Sequence, residues 1–207
     1  MTKFINKKSC FIGDQVKIGK NVTIYENNHI EGKTTIGDNC TLMPGNFICD
    51  SIIEMGCTVF SSVIESSHVK SCCKIGPFAH LRPCCVIGNG CKIGNFVEIK
   101  NSRIGCANKI SHLAYVGDVD MGDNCNVGCG VIFANYNGKE KNRTIVGDHV
   151  FIGSNSNIIA PLKIESNSFI AAGTTVTKDV GQWDFVIGRA REEIKKERAK
   201  KYLKKED

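Results

Sequence analysis

The chain has 207 residues, 42% of them apolar, and a net charge of +6, which sizes it at one domain or at most two. No run of about 18 apolar residues occurs, which argues against a membrane-crossing helix, and the opening MTKFINKKSC lacks the apolar core and cleavage site of a secretory leader, so a cytoplasmic protein is expected. The charge gives little support to nucleic-acid binding: residues 189–207 hold nine Lys/Arg against five Asp/Glu, and no platform of aromatic and basic residues accompanies them.

The 25 Ile and 16 Val outnumber 5 Leu, and β-branched side chains of this kind favour strands over helices. They recur at every sixth position: Ile12, Ile18, Ile24, Ile30, Ile36, Leu42 and Ile48, then, after a slip, Ile53, Val59, Ile64 and Val69. The run resumes from Ile75 to Ile99, from Ile104 to Val127, and from Val146 to Val176. A period of six fits neither an amphipathic helix nor an alternating strand. It fits a short strand and a turn, three of which close one triangular coil. The expected fold is therefore all-β, a parallel β-helix over residues 1–180, with its aliphatic side chains pointing inward and its coils about 4.8 Å apart.

Cys40, Cys57, Cys73, Cys85, Cys91 and Cys125 each fall four residues after a repeat aliphatic. That phase makes them small fillers of the coil interior rather than metal ligands or a disulfide framework. One long break interrupts the repeat, the polar loop at about 134–145, and loops on rigid scaffolds are where function tends to lie. The closing segment, 181–207, contains the charged stretch 189–203, which reads as a short helix with Ala190, Ile194 and Leu203 on an incomplete apolar face.

A prism with flat walls cannot enclose a small molecule. A site is expected where a wall meets the loop or another subunit, and three-sided prisms close naturally as a homotrimer. The histidines His29, His68, His80, His112 and His149 show no paired spacing, so no metal site is expected. His112, in KISHLAYVGD, could serve as a base near neutral pH; by spacing alone, a surface histidine on a strand is the simpler reading.

The segments IGPFAHLRP, IGNFVEIK, SHLAYVGD, the NVG at 126–128, ANYNG, GDHVFIGSNS and IAAGTTVTKDV favour the first alternative. In order and spacing they resemble the C-terminal acetyltransferase domain of the bacterial bifunctional N-acetylglucosamine-1-phosphate uridyltransferase/glucosamine-1-phosphate acetyltransferase family. The resemblance covers about residues 20–190 and implies a left-handed coil. It also implies transfer of an acetyl group from acetyl-CoA to glucosamine 1-phosphate, without a covalent acyl-enzyme. His112 would be the general base, and Arg82, Lys100, Tyr115, Asn126 and Lys141 would hold the sugar phosphate. Asn135, Tyr136, Cys129, Ser154, Ala172 and Arg189 would line the coenzyme site, with Cys129 standing where the family usually has Ala. The Gly-rich L-x-x-G-x-G-T-R-M segment of the family's other domain does not occur here. Uridylyl transfer is thus not expected of this chain, and a separate uridyltransferase chain is a conceivable partner. Two alternatives stand beside this reading: another amino sugar phosphate or nucleotide sugar as acceptor, and a non-catalytic partner of a sugar nucleotidyltransferase.

Overall fold

Aliphatic residues six apart dictate the architecture. In the computed structural model, which describes residues 1–202, strands of mostly two or three residues follow one another from Lys3–Phe4 to Phe185–Val186. The strand pairs are parallel, and each inward aliphatic sits on its equivalent one coil away, as Ile36 does on Ile53 and Val69 on Ile87. The result is a three-walled parallel β-helix. Eleven rungs form the first wall, from Lys3–Phe4 to Phe185–Val186, and ten form the second, from Phe11–Ile12 to Thr175–Val176. Nine form the third, from Lys17–Ile18 to Leu162–Ile164. Two long strands, Lys92–Lys100 and Lys109–Gly117, run through a corner and serve both first and second walls.

The interior is one continuous aliphatic stack, in which Ile24, Ile30, Ile48, Ile64, Ile93 and Ile99 are wholly buried. The six repeat-phase cysteines are buried too. They are more than filler, because each thiol donates to a carbonyl of the next coil, as Cys73 Sγ does to Gly88 O and Cys91 Sγ to Gly105 O, both at 3.0 Å. Burial raises the Cys125 thiol to about 11, which keeps it protonated and inert near neutral pH. Elsewhere in the interior, Asn28, Asn46 and Ser62 form a ladder: Asn46 Nδ2 donates to Asn28 Oδ1 at 2.8 Å, and Ser62 N donates to Asn46 Oδ1 at 3.0 Å. These groups satisfy polar atoms that would otherwise be orphaned inside the coil.

Corners are made by residues at positive φ, many of them Asn or Asp, such as Asn21, Asn39, Asn101 and Asp118, the types that tolerate this region best after glycine. One corner departs from that preference with large apolar side chains in three successive coils. Between the first and second walls stand Phe78, Phe96 and Leu113, at φ 57°, 55° and 42° and each well exposed. The two phenyl rings stack with centroids 5.5 Å apart. Strained, exposed apolar residues in successive coils mark this corner for attention.

The C-terminal segment departs from expectation. The coil continues past residue 180 to the rung Phe185–Val186, and the helix expected over 189–203 does not form. Residues 187–195 have no regular structure, and the helical part is a 3-10 turn at Arg198–Lys201. Ala190 and Ile194 are exposed, so the incomplete apolar face has nothing to pack on, and packing supplies most of a short helix's stability. Leu203 lies outside the described residues. Among the described residues no helix is long and apolar enough to cross a membrane.

Candidate acyl-transfer site

His112 sits at the corner between the first and second walls, within the strand Lys109–Gly117. Asn95 lies directly beneath it, one coil earlier, and the two side chains meet, His112 Nδ1 to Asn95 Oδ1, at 2.7 Å. An amide oxygen only accepts, so this contact calls for a proton on Nδ1 and leaves Nε2 as the nitrogen without a protein partner. The other histidines that form side-chain hydrogen bonds do so with carboxylates: His29 with Glu31, His68 with Glu54 and His80 with Glu65, at 3.0, 2.7 and 2.8 Å. His112 alone among these four has a neutral partner.

The same corner continues upward through the residues expected at the coenzyme. Cys129 stands one coil above His112, because Gly130 N bonds Leu113 O at 2.7 Å. Ser154 and Ala172 follow, with Asn155 N bonding Cys129 O and Gly173 N bonding Ser154 O, each at 2.8 Å. Arg189 closes the series by donating from Nη1 to Ala172 O at 2.9 Å. Cys129, Ser154, Ala172 and Arg189 are exposed. With coils about 4.8 Å apart, the three steps from His112 to Ala172 cover roughly 14 Å, a length that suits an elongated ligand. Beside this line, on the first wall, Phe151, Phe169 and Phe185 stack with successive centroids 4.5 and 5.3 Å apart.

Glycines let the coils close at this corner. A Cβ on Gly128 would stand 2.5 Å from Ser154 N, and one on Gly153 2.4 Å from Ala172 N. A Cβ on Gly94 would stand 1.9 Å from Ser111 O, beside His112.

A second cluster forms at the far edge of the second wall. Lys100 is mostly covered and lies 3.8 Å from Asp118 Oδ2. The Lys141 ammonium stands beside it and, with burial, lowers the Lys100 pKa, while Asp118 draws it back up. Arg82 is one coil below and pairs with Glu98 at 2.9 Å. The Tyr115 hydroxyl accepts from Asn135 Nδ2 at 3.4 Å. Arg82, Lys100, Tyr115 and Lys141 thus lie together, and Asn135, expected on the coenzyme side, lies with them.

The inserted segment is a compact hairpin. Tyr136 and Lys141 form an antiparallel bridge, and Asn137 Oδ1 accepts from the amides of Lys139 and Glu140, both at 2.9 Å. Its base is pinned by Arg143, which donates to Asp120 Oδ1 at 2.8 Å and to Asn101 O at 3.0 Å. Tyr136 is exposed at the hairpin, with its hydroxyl on Gly138 O.

One predicted residue stands apart. Asn126 faces outward from the first wall, between Lys109 and Phe151 in register, whereas Lys100 and Tyr115 face outward from the second. Between the corner and Tyr115 lies a shallow apolar depression of about 340 Å³, lined by Phe96, Leu113 and Ile132 among others. A second depression, of about 580 Å³, lies on the third wall and touches none of the predicted site residues. Among the described residues, no group of three or more His, Cys, Asp or Glu could hold a metal ion.

Two functional candidates were given no role from the sequence, Asn95 and Asp118. Counting one coil back from His112 and from Asn135 would have found them.

The repeat and its coil place the chain in a family: it belongs to the one described as bacterial transferase hexapeptide (six repeats), matched at residues 9–50, 66–101 and 143–178. Among curated relatives, it is 49% identical over 202 residues to the Bifunctional protein GlmU of Clostridium novyi (strain NT), covering 97% of this chain and 44% of that protein. It is 48% identical over 187 residues to the protein of the same name from Thermodesulfovibrio yellowstonii, covering 90% of this chain and 41% of the relative. The chain therefore spans under half the length of these relatives, matching their C-terminal portion. Among solved structures, it resembles a mutant perosamine N-acetyltransferase from Caulobacter crescentus in complex with CoA and GDP-perosamine. The TM-score is 0.50 and identity 25%, over 55% of this chain and 53% of that one. LpxA, a UDP-N-acetylglucosamine acyltransferase from Bacteroides fragilis 9343, shares the fold with a TM-score of 0.57 at 16% identity, over 89% of this chain and 71% of that one.

Proposed function

We propose that the chain is an acetyl-CoA-dependent N-acetyltransferase whose acceptor is an amino sugar phosphate, with glucosamine 1-phosphate the acceptor that the family resemblance favours. The observation that carries this reading is the corner: an oriented histidine with a free Nε2, at the foot of a line of exposed residues long enough for a coenzyme. The relatives' name and the CoA complex of the perosamine enzyme support it.

An ammonium has no lone pair, so the acceptor must lose a proton to react. His112 Nε2 takes it, while Asn95 holds the ring by Nδ1. The amine nitrogen bonds to the acetyl carbonyl carbon and sheds its second proton to water as the carbon–sulfur bond breaks, and the proton held by His112 leaves with the coenzyme as a free thiol. Arg82, Lys100 and Lys141 supply positive charge for the sugar phosphate. Tyr115 and Asn126 contact the sugar, and Asn135 and Tyr136 lie at the thioester end. Cys129, Ser154, Ala172 and Arg189 line the coenzyme groove. Binding both reactants for direct attack makes an acyl-enzyme unnecessary.

Asn126 and Lys100 face outward from different walls of one copy, so they serve one small molecule only when two copies adjoin. We therefore read the working form as a homotrimer with its sites between copies. All twelve cysteines are free thiols, in keeping with a reducing, cytoplasmic setting.

The test is incubation with acetyl-CoA and a panel of amino sugars, followed by mass measurement of the products. Acetylation of glucosamine 1-phosphate at the amine is expected. A nucleoside-diphosphate amino sugar preferred over it would replace the acceptor, and acetyl-CoA binding to none of the protein would favour the non-catalytic partner. Mixing Asn126→Ala with Lys100→Ala protein, each inactive alone, should restore part of the activity; no recovery would refute the shared site.

A further inference from the structure

Asp118 is the most buried carboxylate of the described residues, 5% exposed. It turns the corner after the second wall at φ 55° and accepts on both oxygens. Asn101 Nδ2 donates to Oδ1 and Asn135 Nδ2 to Oδ2, and Lys100 Nζ lies 3.8 Å from Oδ2. One side chain thus holds a candidate phosphate-binding lysine and the first residue of the inserted hairpin. Neither the repeat nor the core requires a charge here: the equivalent corner two coils earlier is Cys84, an exposed neutral residue.

The charges around it explain the need. Lys100 is flanked by the Lys141 ammonium and by Arg82, and both cations disfavour its charged form. Glu98 is engaged by Arg82 at 2.9 Å and Asp120 by Arg143 at 2.8 Å. Asp118 is therefore the carboxylate that offsets the cations crowding Lys100. Burial opposes its ionisation, but the two amide donors and the charges of Lys100 and Arg143 outweigh this and hold its pKa below the usual carboxylate value.

We infer that Asp118 is a positioning residue that locks the hairpin to the second wall and holds Lys100 beside Lys141, the two converging on the acceptor's phosphate. It does not touch the reacting atoms. The inference rests on the proposed function for its ligand, while its structural content concerns anion binding alone.

Asp118→Asn is the discriminating change. Asn is at home at positive φ, so the corner is not strained. The new amide, however, must point an N–H at the amide donor of Asn101 or Asn135, and the counter-charge is lost. Titration calorimetry on the full chain, with glucosamine 1-phosphate and with inorganic phosphate as probes, reads the effect at pH 7 and pH 9. The variant should bind glucosamine 1-phosphate at least tenfold more weakly at pH 7. Its loss at pH 9 should be greater still, because a lysine without its carboxylate loses its proton at lower pH. Acetyl-CoA affinity should stay within about twofold, and in turnover the acceptor KM should rise while kcat stays within about threefold. Asp118→Glu, which keeps the charge, should retain most of the phosphate affinity, and serves if the first variant fails to fold.

Unchanged phosphate affinity, a parallel loss of both ligands, or equal damage from Glu and Asn would overturn the inference. So would wild-type protein that binds neither phosphate probe. If the wild type binds phosphate in an Asp118-dependent way but transfers no acetyl group, the inference stands and the proposed function falls.

Discussion

Gly94→Ala tests whether the close approach of two coils sets the position of His112. Gly94 does not have a positive φ, so alanine is acceptable there on backbone grounds, but its Cβ would lie 1.9 Å from Ser111 O and 2.6 Å from Ser111 C. Tolerable contacts begin at 3.0 Å, so the neighbouring coil must retreat by about 1 Å, roughly a fifth of the inter-strand spacing. The atom that must move is backbone of the residue just before His112, and no flexible side chain can absorb the clash. Overpacking of this kind costs about 1–3 kcal/mol of stability, and a misplacement of about 1 Å at a reacting group costs on the order of 10²-fold in rate. Gly90→Ala is the control in the same coil: its φ is +67° and nothing lies within 4 Å of the added carbon. It should cost about 1–2 kcal/mol of backbone strain and leave kcat alone. Thermal unfolding and initial rates of thiol release measure both variants. If Gly94→Ala keeps wild-type kcat, the corner does not position the base as described.

A water-soluble thiol reagent on native protein should label Cys72, Cys84 and Cys129 first, since these are exposed, and should reach Cys40, Cys57, Cys73, Cys85, Cys91 and Cys125 only in denaturant; peptide mapping reads the order. Labelling of Cys129 should be slowed by acetyl-CoA. Arg143→Ala removes the hairpin's pin to Asp120 and Asn101 O; because the ion pair is over one-third exposed on each side, stability should fall by no more than about 1 kcal/mol. The acceptor KM should nevertheless rise severalfold, and an unchanged KM would mean the hairpin holds its place without the pin.

The coil was legible because its cause is local. An aliphatic residue at nearly every sixth position, often followed by Gly, states the strand and the turn together, so Ile12 to Val176 could be assigned from phase alone. The inward cysteines followed from the same phase, although their S–H bonds to the next coil required coordinates. What the sequence concealed was vertical neighbourhood. Asn95 and His112 are 17 residues apart, as are Asn101 and Asp118, and Asp118 and Asn135; a turn one residue short sets this offset, so counting by the ideal 18 points to the wrong residue. Wall assignment was equally hidden, and Asn126 and Lys100 read as one site although they face different directions. The C-terminal stretch misled for the opposite reason. Its charges and scattered Ala and Ile suit a helix, but a helix needs a surface to pack on, and none is offered to Ala190 or Ile194.

Thiol release from acetyl-CoA in the presence of glucosamine 1-phosphate, compared between wild type and His112→Ala, probes the central claim most directly. The wild type should release one thiol per N-acetylated sugar. The variant should stay folded and bind acetyl-CoA, since His112 is exposed on the surface of the coil, yet turn over about 10²–10⁴-fold more slowly. Equal turnover by His112→Ala, or no acceptor-dependent thiol release by the wild type, would contradict the account.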